Sequence, residues 1–156
     1  MKDGKIMDNK NLKKLFEIIL KRIKKKKASL GPLKNHKNVG IEAWLKVEAV
    51  KAIADNPDYK IISINKKINK EKIDLHIIYK NKPINIELKG MSTFNYSRIY
   101  EGIKKYKSVH CCLFLVHTKE ENYYYFKKNY KDVREIIKEW LVIDSEYWLL
   151  AMIQRI

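Results

Sequence analysis

Leu12, Leu15, Phe16, Ile19 and Ile23 recur at helical spacing, which predicts an amphipathic helix over roughly residues 9–26. The helix runs into Lys24-Lys25-Lys26-Lys27 and is broken by Ser29-Leu30-Gly31-Pro32 and the polar stretch to Asn38. From Val39 to Ala54 the pattern is apolar on nearly all sides (Ile41, Ala43, Trp44, Leu45, Val47, Val50, Ile53), which predicts a buried helix stopped by Asp55-Asn56-Pro57-Asp58. Three strand-like segments follow, Tyr59–Ile68, Lys72–Tyr79 and Pro83–Lys89, and Lys80-Asn81-Lys82 reads as the tight connection of an antiparallel hairpin. A helix from about Thr93 to Lys107 places Tyr96, Ile99, Tyr100, Ile103 and Tyr106 on one face, and Val109–His117 reads as a buried strand. In the tail the pattern predicts a helix over Tyr123–Trp140, a short strand at Leu141–Ile143 and a last helix capped by Ser145 and running through Gln154. This order predicts an α/β fold, a mixed sheet flanked by helices, with a basic helical extension (1–38) ahead of the main domain (39–156).

At 156 residues and 46% hydrophobic, the chain has the size and composition of one domain with a core. No run approaches the roughly 18 apolar residues that cross a bilayer, and the first residues lack a secretory apolar stretch, so the expectation is a cytoplasmic protein outside the membrane. Cys111 and Cys112 are adjacent in an apolar run, unsuited to bridging each other or to a zinc site, and are expected in the core. Charge changes the picture more. The formal net charge is +16, and residues 1–38 hold 13 basic against 3 acidic side chains, or +10 of it. Such a field seeks a polyanion, with nucleic acid ahead of a membrane surface, although an AT-rich genome also enriches a chain in Lys, Ile, Asn and Tyr. Lys24, Lys25, Lys26 and Lys27 are the expected phosphate contacts.

The candidate chemistry lies on the hairpin. Side chains alternate along a strand, so Ile73, Leu75 and Ile77 share a core face with Ile84, Ile86 and Leu88. Asp74, Glu87 and Lys89 then project from the other face, within reach of one another across the hairpin. Two carboxylates and an ammonium suit a hard divalent cation, which takes oxygen ligands and keeps positions for water and phosphate. The lysine is placed to orient or deprotonate a water and to counter the charge of a pentavalent phosphate. The alternative is a cross-strand salt bridge. Glu87-Leu88-Lys89 is the only Glu-x-Lys in the chain, and the Asp-x-Lys instances at Asp3, Asp8 and Asp58 lack an acidic partner on a preceding strand.

Ile73-Asp74-Leu75 followed by Ile86-Glu87-Leu88-Lys89 resembles the motif of the PD-(D/E)xK nuclease superfamily, and the layout over about residues 39–118 is similar to its restriction-endonuclease-like αβββαβ core. Ile73 stands where the family often has proline. In size and order of elements the chain looks closest to small archaeal Holliday-junction resolvases. The resemblance implies metal-dependent hydrolysis of DNA phosphodiester bonds with Mg²⁺, or Mn²⁺ in its place. It implies Asp74, Glu87 and the backbone carbonyl of Leu88 as metal ligands and Lys89 as the residue that activates water. A helix glutamate often completes such a site, and the distance to the first strand favours Glu48 over Glu42; Glu48 pairing with a lysine such as Lys51 is the alternative. Junction resolution and restriction-type cleavage both call for two active sites, hence a homodimer, with Trp140–Ile153 as the candidate interface. His76 and Ser63 are read chiefly as polar neighbours of the site. Arg98 is expected to reach the DNA backbone, and Tyr123-Tyr124-Tyr125-Phe126 to bury one face and line an interface. Two other readings stay open: a nuclease-fold module that binds nucleic acid without cutting, and a basic scaffold docking through its N-terminal helix.

Overall fold

A computed structural model describes residues 9–33, 39–68, 70–93, 95–105, 107–119, 128, 133–143 and 146–155. The basic stripe forms α1 (Asn9–Lys26), followed by a 3-10 turn (Lys27–Ser29) and a short α2 (Leu30–Leu33). The apolar segment is α3 (Val39–Ala54), and the strands are β1 (Tyr59–Ile68), β2 (Glu71–Tyr79) and β3 (Lys82–Met91). Then come α4 (Tyr96–Lys104), β4 (Cys111–His117), β5 (Val133–Ile143) and β6 (Glu146–Arg155). They build one six-stranded mixed sheet in the order β1-β2-β3-β4-β6-β5. Among the described strands only β3 and β4 pair in parallel, and α4 carries the chain from one to the other.

Lys80 and Asn81 both take positive φ (49° and 65°), and Tyr79 pairs with Lys82, so the β2–β3 connection is a two-residue turn in which both residues are left-handed. Two layers cover the sheet. On one face α1 and α3 pack Leu12, Leu15, Phe16, Ile19, Ile23, Ile41, Leu45 and Ile53 against Leu75, Ile77, Ile86, Leu88 and Leu113. On the other, α4 packs Ile99 and Ile103 against Cys112, Phe114, Val116, Leu149, Ala151 and Ile153. The α1 stripe therefore belongs to the main core, and the described part of residues 1–38 is a layer of the domain and not an extension from it. The two cysteines are buried free thiols on opposite faces of β4.

The tail departs from the predicted helices. Residues 133–140 belong to β5 and 146–154 to β6, antiparallel to each other and with β6 docked on β4. Tyr147-Trp148-Leu149-Leu150-Ala151-Met152-Ile153 has no helical polar face, and once β4 offers an edge a continuous apolar run serves as a strand buried on both sides. From Trp148 to Ile153 every side chain is at most 1% exposed. That removes Trp148–Ile153 from the candidate interface Trp140–Ile153, because the domain's own core consumes it, while Val142 and Tyr147 of the same segment stay exposed. Tyr123-Tyr124-Tyr125-Phe126 lies outside the described residues. Among the described residues no helix is long and apolar enough to cross a membrane.

Candidate active site

The β2–β3 ladder runs from Tyr79↔Lys82 to Leu75↔Ile86. One step further along the same register Asp74 and Glu87 oppose each other, and their carboxyl groups share a hydrogen bond. Asp74 Oδ2 also accepts the Leu88 N–H at 2.8 Å. Lys89 Nζ stands 3.6 Å from Glu87 Oε2, so the strand alternation brings together the three side chains the motif names.

Glu87 is 4% exposed. Burial pushes its carboxyl up, the hydrogen bond to Asp74 and that residue's charge push it further, and Lys89 opposes them; the result is about 8. Burial also raises Asp74, but the hydrogen bond from Glu87, the Leu88 N–H and the ammonium groups of Lys46 and Lys89 outweigh it and hold Asp74 below the ordinary carboxylate range. A proton is thus held between two oxygens, carried mainly by Glu87. Such a pair suits a divalent cation, since the cation can replace the proton and relieve the repulsion. Among the described residues no group of three or more His, Cys, Asp or Glu side chains is arranged to hold a metal. The protein's share would be Asp74, Glu87 and the Leu88 carbonyl, with water filling the remaining positions, as Mg²⁺ permits.

Two residues that the motif does not name join the site. Lys46 Nζ donates to Asp74 Oδ1 at 3.4 Å and to Asn65 Oδ1 at 2.8 Å. Asn65 sits in β1 with φ 54°, a conformation asparagine tolerates better than most residues. A lysine in so basic a chain carries no signal, whereas an asparagine inside a strand of mainly apolar residues and lysines is a faint one.

Glu48 does not join the pair. It accepts from Arg22 Nε at 2.7 Å in the α1–α3 layer and is 8% exposed. Glu42 takes the place next to the site strand, accepting the Gly90 N–H at 3.3 Å and a hydrogen bond from Arg98 Nη2 at 2.9 Å. The reason is helical phase. Glu42 and Lys46 are four residues apart on one face of α3, while Glu48 lies about 200° beyond Lys46. Arg98 also donates to the Gly90 carbonyl at 3.4 Å, so this guanidinium ties α4 to α3 and β3.

Two glycines let helices close on β3 from opposite sides. A Cβ on Gly90 would stand 2.5 Å from the Glu42 nitrogen, so this position admits the first turn of α3. A Cβ on Gly102 would stand 2.9 Å from Lys89 Cε. Beside Gly102 a cleft of ≈170 Å³ is lined by Glu87, Lys89, Arg98, Glu101, Gly102 and Lys105.

Ser63 pairs with His76 across β1–β2, on the face of Asp74. His76 Nδ1 hydrogen-bonds Asn85 Oδ1, and Asn85 in turn donates to Ser108 O at 2.8 Å and to His110 Nδ1 at 2.9 Å. His76 thereby helps anchor the β4 approach. Of the lysine run, Lys24 pairs with Glu139 at 3.4 Å and Lys27 reaches the Val142 carbonyl at 3.5 Å, while Lys25 and Lys26 are exposed. No family model matches the chain, and no curated protein or solved structure matches it.

Proposed function

We propose that this chain is a metal-dependent endodeoxyribonuclease with a restriction-endonuclease-like core, hydrolysing DNA phosphodiester bonds at Asp74, Glu87 and Lys89. The observation that carries this reading is the hydrogen-bonded Asp74–Glu87 pair on adjacent strands with Lys89 at 3.6 Å. When bound there, Mg²⁺ or Mn²⁺ supplies an acidified water and neutralises phosphate charge. Asp74 and Glu87 hold the site, the hydrogen bond from Glu87 and the Leu88 N–H, helped by Lys46, keep Asp74 ionised, and Lys89 sits where an ammonium orients the attacking water or meets the developing charge. Glu42, braced by Arg98, is the helix carboxylate that borders the site strand. The +16 charge supports a polyanionic substrate. The exposed lysines of α1 lie on the layer opposite α4 and serve as contacts beyond the cut phosphate.

The test is cleavage of linear, nicked, flap and four-way-junction DNA with Mg²⁺ or chelator. Asp74→Ala and Glu87→Ala each remove cleavage while circular dichroism stays unchanged; cutting retained in either variant overturns the reading. The panel also separates junction resolution from restriction-type cleavage. A non-cutting nucleic-acid-binding module of the same fold is the second reading, favoured by the burial of Glu87 at 4% beneath α4. It predicts binding unaffected by chelator and no product on any substrate.

A further inference from the structure

Asn65 stands in a row with the carboxylate pair. Ile64 pairs with Leu75 and Lys66 with Ile73, so Asn65 lies opposite Asp74, as Asp74 lies opposite Glu87 on the next strand. The row begins on an irregular stretch of the sheet's edge: β1 shifts register between Ile61 and Ser63, and Asn65, two residues later, takes a left-handed φ of 54°. Such departures from a regular ladder gather where a side chain has to be re-aimed. The Asn65 Oδ1 accepts from Lys46 Nζ at 2.8 Å, and the same ammonium reaches Asp74 Oδ1 at 3.4 Å. The first distance is that of an ordinary hydrogen bond and the second is long for a charged one, so Lys46 is seated on Asn65 and leans on Asp74. Asp74 has other support, since its second oxygen takes the Leu88 N–H and its carboxyl shares a hydrogen bond with Glu87. With side-chain exposures of 23% and 14%, Lys46 and Asp74 are poorly screened from each other and from any further charge brought to the site.

We propose that Lys46 competes with the divalent cation for Asp74, and that Asn65 is the acceptor that takes the ammonium over when the cation binds. The inference rests on the reading of the Asp74–Glu87 pair as a cation site. An ammonium on a carboxylate repels a divalent ion on the same group, and the repulsion eases as the ammonium withdraws onto a neutral oxygen. A carboxylate at position 65 would hold Lys46 but bring another charge to the site; the amide oxygen holds it and brings none. Lys46 thereby sets the cation concentration the site requires, and Asn65 is a positioning residue that acts through Lys46.

The experiment is a Mg²⁺ titration of the full chain, labelled with ¹⁵N, reading the amide of Leu88, which donates to Asp74 Oδ2. Lys46→Met removes the competing charge and tightens Mg²⁺ about tenfold, the order expected of one unit charge near a divalent ion in a partly screened site. Lys46→Arg keeps the charge and binds Mg²⁺ more weakly than Lys46→Met. Asn65→Gly deletes the acceptor but not the left-handed backbone, which glycine adopts freely, and leaves the ammonium to Asp74. Affinity then falls about threefold, the worth of one modest hydrogen bond. In the Lys46→Met background the same change at position 65 has no effect, a coupling that a purely structural role would not produce. Should Lys46→Met fail to fold by circular dichroism, Lys46→Gln takes its place. Equal Mg²⁺ affinity in wild type and Lys46→Met, or a loss at Asn65→Gly that persists without Lys46, overturns the competition and leaves the cation site standing. No saturating shift in any of the proteins removes the cation site, and the competition with it.

Discussion

Glu87 shows how much a single carboxyl depends on its surroundings. Its pKa rests at about 8 in the folded chain against an ordinary 4.5, so the fold favours the protonated form. The stability this contributes is fully present below about pH 4.5 and is lost as pH rises toward 8. Asp74 works in the opposite sense, contributing above its ordinary 3.8 and losing that as pH falls through its depressed value, which lies outside this window. In chelator, then, the melting temperature should fall between about pH 5 and 8, and Glu87→Gln should flatten the profile. Equal slopes in the two proteins would refute the shared proton. Added Mg²⁺ should flatten the wild-type slope as well, because the cation takes over what the proton did.

Helix α3 works by its faces. Glu42 and Lys46 point along one face toward β3 and β2, and Glu48 points from another toward α1. Glu48→Gln should therefore cost about 1–3 kcal/mol of unfolding free energy, by leaving a part-buried Arg22 poorly paired, with cleavage rates unchanged. Glu42→Gln should do the reverse, lowering cleavage with a smaller loss of stability. A chemical melt and a rate measurement on both variants decide the matter, and an inactive Glu48→Gln would reinstate that residue. Counting along the chain does not separate these glutamates, because spacing to the first strand says nothing about which face of a buried helix meets the sheet. Gly90 makes the same helix dock: Gly90→Ala places a Cβ 2.5 Å from the backbone nitrogen of Glu42. That change should destabilise by about 1–3 kcal/mol in a denaturant titration.

At the scale of the molecule, α1 is the element that changes meaning. Its apolar stripe is buried at 0–2% exposure, so removing residues 1–38 would strip the core and could not isolate a role in binding. Charge is the separable variable. Replacing exposed Lys13, Lys21 and Lys25 by glutamine should leave the fold intact and lower the salt dependence of DNA affinity, by about 0.9 in log–log slope for each phosphate no longer neutralised. An unchanged slope would place the polyanion elsewhere. Likewise Leu150→Ala should unfold the protomer, at about 2–5 kcal/mol, with no separate dissociation step in sedimentation, since β6 is interior to the sheet. The exposed Ile62 and Ile64 sit on β1, at the sheet's edge, far along the strand order from the apolar tail.

Whatever depends on local period and on parity is legible in the chain alone. The helical stripe of α1, the apolar cylinder of α3, the tight turn at Lys80-Asn81 and the common face of Asp74, Glu87 and Lys89 all follow from side-chain repeat along a few residues. Features that need partners distant in the chain are settled by packing. The run from Trp148 to Ile153 is apolar in any conformation and becomes a strand because β4 presents an unpaired edge. Lys46 becomes a site residue because α3 docks at Gly90, and Arg98 a brace because Glu42 lies within its reach. Proximity across 26 to 56 residues, such as Arg22 to Glu48 or Glu42 to Arg98, leaves no trace in spacing, since it is set by how layers pack after the local pattern is spent.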